Sequence, residues 1–166
     1  MTMQYMSLLL ALLVARGVAD ISGMAMVQTI DGSRTLSELI NTSGILIKDG
    51  TGSYTQIELI SKVDPTPVLR IQTVSTSIEV TPDHVMSLDG PITASDVLVG
   101  DLLLVNGEWE TIVRIVKDLA VTTVDIWSRS GTLRVDGVTV PTHVYSLQQI
   151  WSIYWNDIRR TIIKYH

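Results

Sequence analysis

The chain repeats itself. Val27–Leu39, VQTIDGSRTLSEL, lies over Val85–Val97, VMSLDGPITASDV, at a constant offset of 58 (85 less 27). Asp31-Gly32 then falls on Asp89-Gly90, and Ser37-Glu38 on Ser95-Asp96. Further along, Gly44–Lys62 (GILIKDGTGSYTQIELISK) matches Gly100–Lys117 (GDLLLVNGEWETIVRIVK), and Ile71–Val80 falls on Ile126–Val135 at an offset of 55 (126 less 71). A unit of this size cannot bury its own apolar face. Two copies related by a pseudo-two-fold axis do so by wrapping a common core, and this narrows the architecture before any single residue is read.

The composition of each copy selects strands. The segments Ala25–Ile30, Ile45–Lys48, Tyr54–Val63, Val68–Val74, Ser77–Val80, Leu102–Val105, Glu108–Lys117, Val121–Trp127 and Thr132–Val140 are short and β-branched. They are bounded by turn dipeptides at Asp31-Gly32, Asp49-Gly50, Asp89-Gly90, Asn106-Gly107 and Asp136-Gly137, which predicts an all-β domain. The domain is expected over residues 20–145, with copies of about 26–84 and 85–140.

The two ends differ from this pattern. Residues 1–19 place an apolar run, Met6–Ala15, before the small residues Gly17-Val18-Ala19. This is the layout of a secretory signal peptide, predicting a secreted or extracellular protein, with a buried N-terminal helix as the other reading. Residues 146–166 lack turn residues and set Trp151, Trp155, Ile158, Ile162 and Tyr165 at helical spacing. An amphipathic C-terminal helix is expected there, packed on the β-domain or facing a membrane or sterol.

Several chemistries are excluded. Of 166 residues 46% are hydrophobic and 17% charged, which suits a packed globular chain. The net charge of −5, with no basic run beyond Arg159-Arg160, argues against a nucleic-acid surface. The absence of cysteine rules out disulfides, thiolate metal sites and thiol nucleophiles. His84, His143 and His166 lack metal-ligand spacing, and there is no glycine-rich phosphate loop, so no metal or cofactor is expected.

At the seam between the copies stands VTPDH, Val80–His84. The matching place in the second copy reads VDGVTV, where neither the threonine nor the histidine recurs at its position. Folding of the repeat therefore does not demand that pair. TPDH can still be read as a polar turn, with Pro82 and Asp83 fixing the loop.

With this duplication, the TPDH loop, ASDVLVGDLLLV (Ala94–Val105) and the ending SGTLRVDGVTVPTHVYS (Ser130–Ser146), the chain resembles the Hint superfamily, which comprises inteins and the hedgehog autoprocessing domain. The resemblance covers roughly Asp20–Ser146, and the ending is similar to the hedgehog type. It implies self-cleavage at the bond before the domain through an acyl shift, with the chain's own polypeptide as substrate. By the same resemblance His84 protonates the departing amide nitrogen and Thr81 holds the scissile peptide; a histidine near neutrality suits that proton transfer. Asp64 falls near the family's acidic residue that activates a sterol hydroxyl, and followed by Pro65 and Pro67 it reads equally as a turn residue.

The chain departs from that pattern where the chemistry starts. The nucleophilic cysteine is expected at Asp20, and Ser22 is the nearest hydroxyl, two residues out of register. Pro141-Thr142 stands where an intein carries His-Asn, which excludes asparagine cyclisation and protein splicing. The resemblance thus implies a degenerate autoprocessing domain. The alternative is a non-catalytic extracellular scaffold that binds through its C-terminal helix.

Overall fold

The computed structural model describes residues 20–42, 44–88 and 90–144. The expected signal peptide and C-terminal helix lie outside the described residues. The first copy comprises β1 (Ile21–Ser22), β2 (Met26–Thr29), β3 (Gly32–Thr35), a 3-10 turn (Leu36–Leu39), β4 (Leu46–Lys48), β5 (Tyr54–Gln72) and β6 (Ser77–Val80). The second comprises β7 (Val85–Leu88), β8 (Gly90–Thr93), a 3-10 turn (Ala94–Asp96), β9 (Leu102–Val105), β10 (Glu108–Thr111), β11 (Arg114–Ser128) and β12 (Thr132–Val135), followed by β13 (Val138–Pro141) and β14 (His143–Val144). The duplication in sequence is therefore one of structure. Hairpin and 3-10 turn recur, β4 answers to β9, β5 to β10 with β11, and β6 to β12.

The long strands join the copies. β5 and β11 run antiparallel from Arg114↔Gln72 to Ser128↔Ile57, so each copy lends its longest strand to the other. A 12-stranded sheet follows the order β10-β9-β13-β12-β2-β4-β5-β6-β1-β11-β14, with β3 on β2. β6 and β12 each alternate intermediate and buried positions, Ile78 and Val80 in one and Leu133 and Val135 in the other. That period of two is what a half-buried strand requires. With Ile21, Ile47, Ile71, Leu103 and Ile126, all 0% exposed, these side chains form one core shared by both copies.

Three expected strand boundaries are corrected. Pro65 and Pro67 do not divide Tyr54–Val63 from Val68–Val74, because β5 is continuous from Tyr54 to Gln72. Proline is accepted there because the β5–β11 register shifts between Val121 and Thr123, and pairing with β6 starts only at Leu69. Glu108–Lys117 breaks after Thr111, where Ile112 N–H bonds to the Asp101 carbonyl and Val113 N–H to the Gln72 carbonyl, passing the chain from β9 to β5. Thr132–Val140 folds back as the β12–β13 hairpin at Asp136 (φ 49°) and Gly137 (φ 82°). Two adjacent positive φ angles make the tight turn whose twist matches paired strands, the conformation that Asp-Gly favours.

Candidate functional site

The TPDH turn closes on itself and then on both copies. His84 N–H donates to the Thr81 carbonyl at 3.0 Å, and Pro82 presets the backbone for such a turn. The Ala94 and Ser95 N–H groups donate to the carbonyls of His84 and Pro82 at 2.8 and 2.9 Å, fixing the turn to the second copy's 3-10 turn. Thr81 N–H donates to the carbonyl oxygen of Asp20 at 3.1 Å, fixing it to the start of the described chain. Thr81 is 3% exposed and His84 fully buried.

β1 lies between two neighbours. Ile21 pairs with Val80 of β6 and with Val124 of β11, and Ser22 pairs with Thr123. Ile21, Val80, Thr123 and Val124 are all 0% exposed, so the peptide after Asp20 runs into a dry sheet. Burial pushes the Asp20 carboxyl up to about 6, helped by the negative charges of Asp125 on β11 and Asp83 in the TPDH turn. A carboxylate short of water beside like charges holds its proton more tightly. The Asp125 carboxylate accepts from the Trp127 indole N–H at 3.4 Å.

The remaining predicted site residues separate. Ser22 is buried, but its hydroxyl accepts from Met24 N–H at 3.4 Å and its carbonyl from Ala25 N–H at 3.0 Å, which ties it to the turn leading into β2. Asp64 lies within β5, between the pairs Val63↔Thr123 and Thr66↔Val121. Since β11 has β1 on one edge and β5 on the other, Asp64 stands across β11 from Ser22, roughly two strand spacings or 10 Å away. The structure thus brings together Asp20, Thr81 and His84, and adds Asp125 and Asp83. Sequence reading missed Asp125, whose one signal is a carboxylate in the β-branched run Val121–Trp127.

The far end of the domain returns to the same strand. β14 pairs parallel with β11 at Trp127↔His143, on the edge that β1 occupies at Val124. Three residues along one strand put the two ends about 10 Å apart. Thr142, 4% exposed, is held there by a 2.6 Å hydrogen bond between its hydroxyl and that of buried Ser128.

No protein-family profile matches the chain, and no curated protein matches it in sequence. Solved structures do match. A variant of the Ssp DnaB mini-intein superposes with a TM-score of 0.71 at 13% identity, covering 80% of this chain and 98% of its own. A DnaB intein from a Synechocystis species gives 0.67 at 14% identity, covering 76% and 99%. A bacterial intein-like domain from Clostridium thermocellum gives 0.64 at 19% identity, covering 75% and 99%. The likeness runs to inteins and an intein-like domain, and it shows the fold that they share, the Hint fold.

Proposed function

From a Hint fold as premise, we propose that this chain is a self-processing domain acting on the peptide junction at Asp20, with its thiol-dependent step lost. One observation carries the reading: the TPDH turn, with His84 buried inside it, is bonded through Thr81 to the carbonyl of Asp20. In this reading the turn holds the junction peptide rigid, and His84 supplies the proton that a departing amide nitrogen needs.

Asp20 stands where the acyl-accepting cysteine is expected, so the amide-to-thioester shift has no thiol to run through. In the hedgehog-type version of the reading a sterol hydroxyl takes the acyl group and Asp64 is its base. The test is a small soluble reporter fused ahead of Ala19 in wild type and Asp20→Cys, incubated with and without hydroxylamine or sterol and read by intact mass. Release of the reporter at the bond before residue 20 in Asp20→Cys is the expected result. A folded Asp20→Cys protein that stays intact in every arm overturns the reading and leaves a Hint-fold binding module.

A further inference from the structure

We propose that Asp20 is itself a reacting residue, and that the bond it breaks is the one after it, Asp20–Ile21, rather than the one before. This rests on the self-processing reading above and names its substrate bond.

The observation behind it is which carbonyl the turn grips. A donor that stabilises a tetrahedral intermediate must sit on the oxygen that becomes negative. The Thr81 N–H lies 3.1 Å from the oxygen of Asp20 itself. From the Asp20 side chain, a carboxyl oxygen reaches its own main-chain carbonyl carbon through a five-membered ring. The carbonyl before it closes a larger ring. The second copy provides the comparison: Asp136 N–H donates to the Met26 carbonyl at 2.8 Å in the counterpart position. The gripping turn therefore belongs to the repeat, while of the two gripped residues only Asp20 carries a carboxyl.

The step balances without a cofactor. A carboxyl oxygen of Asp20 bonds to its main-chain carbonyl carbon, and the C–N bond to Ile21 breaks. The carboxyl proton passes to the Ile21 nitrogen, and a cyclic anhydride remains on Asp20. Water opens the anhydride, leaving Asp20 as the new C-terminus and Ile21 as the new N-terminus. The acid form is the competent one, and Asp125 from β11 and Asp83 from the turn both favour it. His84 lies buried in the same turn.

The reporter fusion tests this when held folded at a series of pH values and read by intact mass and N-terminal sequencing. The expected fragment begins at Ile21 and forms about 50-fold faster at pH 6 than at pH 8, following the protonated fraction of a carboxyl titrating near 6. Asp20→Ala should abolish it. Asp20→Asn should still cut the same bond, leaving an imide on the reporter fragment, because an amide nitrogen closes the same five-membered ring. Circular dichroism confirms that each variant is folded. A fragment beginning at residue 20, a fragment that persists in folded Asp20→Ala, or no fragment at any pH overturns the inference. Each of these outcomes is separate from scission before residue 20 in Asp20→Cys, on which the self-processing reading stands or falls.

Discussion

Replacing Asp20 with asparagine should stabilise the fold at neutral pH and have almost no pH-dependent effect in acid. In the folded protein the carboxyl is raised from 3.8 to about 6, chiefly by burial, then by Asp125 and Asp83. Below the unfolded value the group is protonated in both states and contributes nothing to the balance. As pH rises the unfolded chain releases its proton first, and stability is lost progressively until the folded carboxyl has also ionised, above about 6. At about 1.4 kcal/mol per tenfold change in proton binding, the full difference is about 3 kcal/mol. Asp20 is only partly buried, so solvent screening reduces this to about 1 kcal/mol. Urea unfolding of wild type and Asp20→Asn across pH 4 to 8, with intact mass checked on each sample, measures the gap. A gap that opens between pH 4 and pH 6 and is flat above 7 is expected. One that is constant with pH, or that closes as pH rises, refutes the view that a reluctant charge is held at this junction.

Asp125→Asn should lower the Asp20 titration without restoring the ordinary value, because burial is the larger cause; carboxyl carbon chemical shifts report it directly. Ser128→Ala and Thr142→Val should each destabilise by about 1–3 kcal/mol by leaving the other buried hydroxyl unpaired, while the double variant loses less than the sum; a double-mutant cycle in urea reads the coupling. Gly137→Ala should destabilise by about 1–2 kcal/mol, the penalty for a side chain in left-handed backbone. Its φ is 82° and the added carbon would stand 2.9 Å from Asn106 Nδ2; thermal melts measure the loss.

The duplication made most of the fold legible, because apolar alternation and turn dipeptides are local signals that recur only if the unit recurs. The 58-residue offset linked Val27–Leu39 to Val85–Val97, and both segments are hairpins running into 3-10 turns. What local reading got wrong was long-range. Pro65 and Pro67 interrupt a strand in isolation, but β11 shifts register opposite Pro65, and Pro67, paired with Ala120, lies before the pairing with β6 begins at Leu69. The end of β10 depends on Asp101 and Gln72, partners distant in sequence. β1 and β14, two residues each, leave no periodic trace at all and exist because β11 offers them an edge.

The site was legible in part for a related reason. Thr81 and His84 stood out by failing to recur, since their counterparts are Asp136 and Thr139. The structure changes what that asymmetry means. Both copies make the same main-chain contact, Thr81 N–H to Asp20 oxygen and Asp136 N–H to Met26 oxygen. The grip on a strand carbonyl is therefore inherited by both copies and needs neither threonine nor histidine. In the second copy the Asp136 carboxylate also accepts from Met26 N–H at 3.0 Å, closing a two-way bond that locks β2 in place. Thr81 makes no such return bond among the described hydrogen bonds, and the turn instead carries a buried His84. The second copy's turn thus seals β2 from both sides, whereas the first copy's turn holds the Asp20 peptide by one bond, carries the buried His84, and leaves a protonatable carboxyl on the residue it holds. Replacing Thr81 with Asp, which copies the sealed arrangement, should therefore raise stability toward β1 in amide exchange. It should also slow any scission at Asp20, and unchanged scission alongside tighter exchange protection would separate the junction's chemistry from its grip.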